Sequence, residues 1–456
     1  MILSSGDAVD FFPLPCASGP LFRLRGDDFN LYYAPGYLLR AAPDLVPLVE
    51  ERIVDSHAEP NVPEVDTLLA FSSRAKREWN DLLERPYQPQ SLHLYLNRRC
   101  QLACQYCFSD LPDRMDFSEL SMDAVRAGVN LAAKNCAEKN LPLTVVFHGG
   151  GEPVLSWRLI EALQPELRKA ADAYGIPLFR YIATNGVMTE ERAHWLARSV
   201  DLAGISMDGP PDLQSVQRPF RGSGGDATSI ILRTARILRE NGVPLHVRVT
   251  LTGANALRQA EICRYLCENV FPRVVGVEPV YLGGRADSSM LIRNENLDGL
   301  IESFFEARAE AQRYGAVWQV SGARPSEIHG PYCNVFRQVL QLVPEGVASA
   351  CFKDVSAAGT CERGTAIGLF NGDLRLDDER VNALRAAFSR PRECEACFLG
   401  YHCAYNCPNA CLLKDERSSD VLCQMLKRIF SRRLIELGGE LARVPSPIAG
   451  TFVAQD

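Results

Sequence analysis

The chain has 456 residues, of which 46% are hydrophobic and 23% charged, and its formal net charge is -7. This length predicts two or three domains, and the negative charge, without a basic stripe of interleaved aromatic residues, argues against a nucleic-acid partner. No apolar run approaches a membrane span, and the N-terminus lacks the pattern of a signal peptide. The sixteen cysteines therefore favour metal ligation over disulfides, and we expect a cytoplasmic protein without a membrane partner.

The first segment, residues 1–88, contains no motif that indicates chemistry. Leu21–Arg25 and Asn30–Tyr33 predict short strands, and the spacing of apolar residues from Pro43 to Ile53 predicts a helix. Two interpretations of this small α+β segment stay open. It is a cap on the main domain, which we favour, or a lobe that binds a peptide by adding a strand to an open sheet edge.

Strands and helices alternate from residue 91 onwards. This alternation predicts parallel strands joined by right-handed crossovers, with functional residues on the loops at the carboxyl ends of the strands. The predicted strands are Leu92–Leu96, Leu143–Phe147, Phe179–Ala183, Leu202–Ser206, Leu245–Leu251 and Val274–Tyr281. The predicted helices are Met122–Glu138, Trp157–Tyr174, Glu190–Arg198, Ala227–Glu240, Ala260–Val270 and Leu297–Tyr314.

Three cysteines follow the first of these strands at C-x3-C-x2-C spacing: Cys100, Cys104 and Cys107. Three thiolates can hold three irons of a [4Fe–4S] cube and leave the fourth iron open, whereas electron-transfer clusters use four cysteines. The open iron implies that another molecule completes the site. The alternative is a zinc knuckle that borrows a distant ligand.

The run Asn97–Phe108, with Tyr106 before its last cysteine, resembles the signature of the radical S-adenosylmethionine (radical SAM) enzymes. In that superfamily, the amino and carboxylate groups of SAM chelate the open iron. The resemblance implies a partial (β/α)6 barrel at residues 89–325, with Tyr106 among the residues of the SAM site.

A glycine turn after the second predicted strand, Gly149-Gly150-Gly151-Glu152-Pro153, resembles the glycine-glycine-glutamate element of the same enzymes. Carried over, Gly150, Gly151 and Glu152 hold the amino group of SAM. Glycine suits this role because backbone without a side chain can approach a ligand closely.

Later loops match further elements of the resemblance. Thr184 and Asn185 occupy the position of ribose contacts, although they also suit a helix-capping turn. Ser206 matches a ribose or carboxylate contact, and Asp208 is a candidate for organising its loop. Arg218 matches an arginine that faces the SAM carboxylate, a role that suits the forked guanidinium; the alternative is a solvated loop charge.

Cysteines are dense again in residues 326–427, in a pattern that closely resembles the SPASM extension of radical SAM enzymes. The resemblance implies two auxiliary [4Fe–4S] clusters, three clusters in all. Zinc is the alternative, because paired C-x2-C units also bind zinc. The implied ligands are Cys333, Cys351 and Cys407, with Cys361 as a substitute fourth, for the first cluster, and Cys394, Cys397, Cys403 and Cys423 for the second.

The remaining features carry less chemistry. Residues 428–456 predict a helix and a tail that contains proline and glycine. Cys16, Cys136, Cys263 and Cys267 are expected to be buried apolar residues. Arg248 and Glu278 have even odds of facing the barrel lumen, because the period of a strand does not say which face is inside.

The resemblance implies that SAM is cleaved to a 5′-deoxyadenosyl radical, which abstracts a hydrogen atom from the substrate, with flavodoxin or ferredoxin as electron donor. We expect an oxidoreductase that installs a C–S, C–C or C–O cross-link in a ribosomal precursor peptide with loss of two hydrogens. No catalytic side chain is predicted.

Alternative functions are a peptide epimerase, a small-molecule dehydrogenase, a non-catalytic iron–sulfur electron carrier and a sulfatase-type formylglycine maturase. The last is disfavoured because Phe352 stands where that family places an aspartate.

Overall fold

The computed structural model describes residues 11–15, 18–25, 30–109, 118–222, 225–351, 365–388, 391–403 and 416–453. Two predicted cluster ligands, Cys361 and Cys407, and the position of Phe352 lie outside the described residues. The strands are β1 (Phe12–Pro13), β2 (Phe22–Arg25), β3 (Asn30–Ala34), β4 (Tyr37–Ala41), β5 (Ser91–Leu94), β6 (Leu143–Phe147), β7 (Leu178–Thr184), β8 (Leu202–Ser206), β9 (Leu245–Leu251), β10 (Val274–Pro279), β11 (Val317–Gln319), β12 (Val339–Leu342), β13 (Val347–Ser349), β14 (Ala366–Phe370), β15 (Leu374–Leu376) and β16 (Ile448–Phe452).

The helices include long amphipathic ones that cover the sheet and short ones in the connections. No helix in the described ranges is both long and apolar enough to cross a membrane. The helices are α1 (Val46–Val54), α2 (Pro63–Glu84), α3 (Met122–Glu138), α4 (Trp157–Ala173), α5 (Glu190–Ala197), α6 (Pro211–Gln217), α7 (Ala227–Glu240), α8 (Gln259–Asn269), α9 (Leu297–Arg313), α10 (Asn334–Arg337), α11 (Asp378–Ala386), α12 (Arg392–Glu395) and α13 (Glu416–Leu441).

The larger sheet has the strand order β11-β10-β9-β8-β7-β6-β5-β12-β13-β14-β15. Strands β5 to β11 run parallel, and β12 runs parallel to β5 on the other side. The last three strands are antiparallel additions. The predicted α/β class with a sheet of parallel strands is therefore confirmed.

Successive side chains of a strand alternate between the helix side and the inner face of the sheet, and in β9 the buried apolar ones lie on the helix side. Val247 and Val249 of β9 lie on the helix side and are almost fully buried. On the same side, α3 approaches the sheet closely at Gly128, where a Cβ atom would lie 2.8 Å from the side chain of Leu342 and 3.2 Å from that of Leu92. This packing places the carboxyl ends of the strands together at one edge.

The six predicted strands are present with ends within two residues of the predicted ones. The structure adds β11 beside β10 and β12 beside β5. Because β12 belongs to the segment predicted as a second domain, the sheet continues across the predicted boundary at residue 326.

The smaller sheet combines both ends of the chain. Its order is β1-β2-β3-β4-β16, all antiparallel, with Ile448 paired to Ala41 and Phe452 to Tyr37. The tail predicted after residue 428 thus ends in a strand, and the predicted boundary at residue 427 falls within α13. A local sequence pattern could not reveal this pairing, because the two strands are about 400 residues apart.

We expect two adjacent glycines of α13 to respond oppositely to alanine. A Cβ atom at Gly438 would lie 2.7 Å from the fully buried side chain of Leu31, whereas one at Gly439 would meet no atom within 4 Å. Gly438→Ala should lower the free energy of unfolding by about 1–3 kcal/mol through overpacking. Gly439→Ala should raise it by about 0.5–1 kcal/mol, because alanine favours the helix. Equal effects in urea unfolding would contradict the close packing of α13 on β3.

Candidate functional site

The loop that carries Cys100, Cys104 and Cys107 follows β5 and is held by backbone hydrogen bonds on two sides. One side is the segment after α6 and the other is the loop after β10. These bonds run from Ala103 N–H to the Pro219 carbonyl (2.7 Å), Gln105 N–H to Gln217 (2.9 Å), Arg221 N–H to Gln101 (2.9 Å) and Arg285 N–H to Cys107 (2.9 Å).

The three cysteines lie in one low-dielectric neighbourhood. Cys104 is buried, while Cys100 and Cys107 are half-buried. Burial raises the pKa of the Cys100 thiol to about 12, with smaller contributions from Glu152, Cys104 and Cys107. Three thiolates at this place therefore need compensating positive charge, which iron ions would supply.

The described residues contain no group of three His, Cys, Asp or Glu side chains that converges on one metal ion. A [4Fe–4S] cube does not require such convergence, because each cysteine binds a different iron. The arrangement is thus better suited to a cluster than to the zinc knuckle considered from the sequence.

The glycine turn packs directly on the cysteine loop. Gly151 N–H donates to the Asn97 carbonyl (3.0 Å), and Glu152 N–H donates to the Arg99 carbonyl (2.6 Å). A Cβ atom at Gly151 would lie 2.3 Å from the Arg99 carbonyl oxygen, and one at Gly149 would lie 1.6 Å from the Gly151 carbonyl oxygen. A side chain at Gly151 would force the turn and the cysteine loop apart, and a side chain at Gly149 would distort the turn itself.

Asn97 joins the same two segments through its side chain. Its Nδ2 donates to the carbonyl of Glu152 (3.0 Å) and to Oγ of Ser156 (2.8 Å), while its Oδ1 accepts from Arg99 N–H (2.8 Å). Asn97 is not among the site residues predicted from the sequence. The only signal was its place between the first strand and the first cysteine, where asparagine also occurs in ordinary turns.

The carboxylate of Glu152 is buried and links the turn to the end of β7. It accepts hydrogen bonds from Thr184 Oγ1 (2.6 Å) and Asn185 N–H (2.7 Å). Burial raises the pKa of Glu152 to about 7, although these hydrogen bonds favour the ionised form. Thr184 and Asn185 thus hold Glu152, and their predicted contact with ribose stays a prediction.

Asn185 also reaches the cysteine loop. Its Nδ2 lies 3.6 Å from the Cys100 sulfur, and its Oδ1 accepts from Val187 N–H (2.8 Å). Gln101 Nε2 donates to the Val187 carbonyl (2.7 Å), while Gln101 Oε1 is buried without a hydrogen-bond partner. The predicted residues of the turn, of β7 and of the cysteine loop therefore meet at one place.

A second network joins Tyr106, Asp208 and Arg218. The Tyr106 hydroxyl donates to Asp208 Oδ2, and Arg218 Nη1 donates to the Tyr106 oxygen (2.9 Å). Asp208 Oδ1 accepts from Thr250 N–H (3.0 Å), which ties β8 to β9. Burial raises the pKa of Asp208, while Arg218 and the hydrogen bonds oppose this rise. Asp208 organises its loop, and Arg218 is buried rather than solvated.

Ser206 lies half-buried at the carboxyl end of β8, directly opposite Arg248 of β9. Arg248 is exposed although its strand is central in the sheet. Among the residues considered for the lumen, Glu278 accepts a hydrogen bond from Ser321 N–H (3.2 Å). The role of Ser206 toward SAM stays a prediction.

The described C-terminal cysteines form two groups. Cys333 caps α10, and its sulfur lies 3.7 Å from the carbonyl of Ala350, the neighbour of Cys351. Cys394 and Cys397 share one turn, with Cys397 N–H donating to the Cys394 carbonyl (3.3 Å).

Gly322, in the segment after β11, lies between Cys403 and α13. A Cβ atom at Gly322 would lie 3.4 Å from Cys403 Cα and 3.2 Å from Leu426, one turn after Cys423. These contacts do not test the predicted ligand sets, which stay predictions. Cys136, Cys263 and Cys267 are buried, as expected. Cys16 lies outside the residues that the structure describes.

The residues present suit SAM and a cluster. As thiolates, the cysteines would need positive charge nearby, and the glycine turn leaves no room for side chains. The buried Gln101 Oε1 has no hydrogen-bond partner among the described residues and can accept one from a ligand. Cys100, Cys104 and Cys107 would hold the cluster, and the turn Gly149–Glu152 would lie against the amino group of SAM.

The model of the Radical SAM superfamily matches residues 94–266. A cysteine-type anaerobic sulfatase-maturating enzyme of Clostridium perfringens is 24% identical over 174 residues, which are 38% of this chain and 46% of that protein. The match thus spans about half the length of the curated relative. Residues 94–266 match this superfamily, and for that segment the resemblance inferred from the cysteine and glycine motifs is confirmed.

Two solved structures share the fold. Native anSMEcpe with bound AdoMet and Cp18Cys peptide has a TM-score of 0.60 at 19% identity, covering 77% of this chain and 99% of that chain. SuiB of Streptococcus suis bound to the precursor peptide SuiA has a TM-score of 0.50 at 14% identity, covering 87% of this chain and 98% of that chain.

We expect Gly151→Ala to prevent cluster assembly. Its Cβ atom would overlap backbone atoms of Arg99, so the cysteine loop must move. The iron and sulfide content after anaerobic reconstitution measures this directly. Gly225→Ala is the control, because its Cβ atom would make only ordinary contacts, at 3.4 Å, with Phe220. Full iron content in the Gly151 variant would refute the close packing.

We expect Asp208→Asn to destabilise the protein by about 3 kcal/mol, because it leaves the buried Arg218 charge without its partner. Urea unfolding measures the loss. The control, Asp212→Asn, removes an exposed ion pair with Arg258 and should cost far less. Equal losses of unfolding free energy in the two variants would show that the Tyr106–Asp208–Arg218 network stabilises the protein no more than an exposed ion pair does.

Proposed function

We propose that this protein is a radical SAM oxidoreductase that modifies a ribosomal precursor peptide and installs a C–S, C–C or C–O cross-link with loss of two hydrogens. The observation that carries the proposal is the meeting of the cysteine loop, the glycine turn and the end of β7 at the carboxyl ends of parallel strands. A cluster and SAM bound there would supply reductive cleavage of SAM and abstraction of a hydrogen atom.

The chain's own residues bind and orient. The turn Gly149–Glu152 leaves backbone space for the amino group of SAM, and the buried Glu152 carboxylate offers a negative partner for that group. The Tyr106–Asp208–Arg218 network holds the loop near Cys104 and keeps a guanidinium available for a carboxylate. Ser206 and Thr184 lie at adjacent strand ends, where a ribose would be reached.

The peptide substrate is supported by the likeness of fold to anSMEcpe with a bound peptide and to SuiB with its precursor peptide. The fold likeness extends over most of this chain, including the part beyond the radical SAM domain. The inner face of the sheet also offers room, since a Cβ atom at Gly276 would have only Val247 O, at 4.0 Å, within contact distance.

We infer two auxiliary [4Fe–4S] clusters in a SPASM domain at residues 326–427. The approach of Cys333 to the segment of Cys351, and the shared turn of Cys394 and Cys397, support them. A cross-link that removes two hydrogens releases one electron from the substrate after hydrogen abstraction and one proton. An auxiliary cluster would accept that electron, and flavodoxin or ferredoxin would supply the one that initiates the reaction.

The second candidate is a formylglycine maturase, favoured by the similarity to the sulfatase-maturating enzyme of Clostridium perfringens. Phe352 at the expected aspartate position argues against it. The two functions differ in the mass change of the substrate: a cross-link leaves two hydrogens fewer, whereas conversion of cysteine to formylglycine also removes sulfur.

The test is anaerobic co-expression with each short open reading frame that neighbours this gene, followed by mass spectrometry of the encoded peptides. We expect loss of two hydrogens, which requires Cys104 as a cluster ligand. Cys104→Ala should abolish both the product and 5′-deoxyadenosine, whereas Cys397→Ala should stop the product and leave some SAM cleavage. The control, Cys267→Ala, changes a buried cysteine of α8 and should retain the product. Formation of 5′-deoxyadenosine by the Cys104 variant would refute the assignment.

A further inference from the structure

Arg248 is an exposed charged residue in the middle of a central parallel strand. Parallel strands are normally covered on both faces and therefore apolar. Its neighbours Val247 and Val249 point to the buried helix side, so Arg248 lies on the inner face of the sheet. Because the side chain is exposed, its charge stays hydrated and is accessible to a ligand on this face.

The residues beside Arg248 on the sheet are small. Ser206 of β8 and Gly276 of β10 are its direct partners in register. A Cβ atom at Gly276 would have only the Val247 carbonyl oxygen, at 4.0 Å, within contact distance. The strand neighbours thus leave open space around the guanidinium of Arg248, which is space for a ligand.

The inner face near Arg248 is positive rather than neutralised. Burial, followed by the charge of Arg248, lowers the pKa of His148 to about 4, so this histidine is neutral at pH 7. Burial, His148 and Arg337 lower the pKa of His93 well below its usual value. Arg337 also lies 5.6 Å from the ring centre of Tyr332. Within the described ranges, neither arginine forms an ion pair with a carboxylate.

Other arginines that are largely buried in this chain do have acidic partners. Examples at less than 3.1 Å are Arg180 with Asp201, Arg98 with Glu345 and Arg428 with Asp298. Glu278, two residues beyond Gly276 on β10, accepts a hydrogen bond from Ser321 N–H. Arg248 and Arg337 are exposed and have no such acidic partner within 4.0 Å in the described ranges, so their guanidinium groups are accessible to an anionic ligand.

We propose that Arg248 binds a carboxylate of the peptide substrate, namely the side chain of an Asp or Glu close to the residue that is modified, with Arg337 adding positive potential. The guanidinium can bind both carboxylate oxygens, which would fix the substrate relative to the SAM site at Ser206. This inference rests on the proposed function. The carboxylate of SAM is the other possible source of this ligand chemistry.

The test measures binding rather than turnover. The probes are a labelled peptide Ac-Gly-Ala-Glu-Ala-Gly-NH2 and its Gln counterpart, titrated by fluorescence anisotropy into cluster-loaded protein with SAM. We expect the Glu peptide to bind about tenfold more tightly. Arg248→Gln should abolish this preference. The control, Arg273→Gln, removes an exposed charge just before β10 and should retain it.

Equal binding of the two peptides to the unchanged protein, including no measurable binding of either, would overturn the proposal. So would an Arg248→Gln variant that keeps the preference. If that variant instead loses affinity for SAM, measured by equilibrium dialysis, Arg248 belongs to the SAM site and the peptide assignment is wrong. Failure of the proposed function is distinguished separately, by absence of 5′-deoxyadenosine from the unchanged protein.

Discussion

The contact between the cysteine loop and the glycine turn is the constraint on which the rest of the site depends. Two loops from adjacent strands approach so closely that a single added carbon at Gly151 would overlap the backbone of Arg99. Asn97 then satisfies the polar groups that this approach buries, through bonds to Glu152 and Ser156. Buried backbone N–H and C=O groups need hydrogen-bond partners. Asn97 supplies them for the Arg99 N–H and the Glu152 carbonyl, so the close approach of the two loops depends on this side chain.

Hydrogen bonds connect these two loops to the ends of the neighbouring strands. Glu152 is positioned by the turn and accepts bonds from Thr184 and Asn185, which brings the end of β7 to the cysteine loop. From the other side, Tyr106 and Asp208 connect the loop to β8 and β9. Because both networks are buried, each link holds its partner in a single geometry. The loop of the three cysteines is thereby held from both sides.

The parts predicted from sequence are those that depend on local pattern. Apolar runs between turns predicted β6, β8 and β9 with their correct ends. Such strands can be recognised from the local sequence alone, because their buried apolar residues form a short run bounded by turn residues. The pairing of β12 with β5 and of β16 with β4 could not be predicted, since it joins segments far apart in the chain. Arg248 stayed ambiguous for a different reason: strand periodicity defines two faces without saying which one is inside.

The pairing of β16 with β4 bears on the two interpretations of the first segment, because it covers one edge of the strands near the N-terminus. A peptide that adds a strand needs an edge with free backbone groups, and the outer edge of β4 is already paired with β16 over five residues. A peptide could pair there only by displacing β16. The end of this strand is anchored, because Phe452 packs on Tyr37 at 5.7 Å and on Phe71 at 5.6 Å between ring centres. The strand order nevertheless ends at β1 and β16, whose outer edges have no partner strand in the described residues, so both interpretations of the first segment stay open. The inner face of the larger sheet, which the proposed function uses, is a separate surface for a peptide.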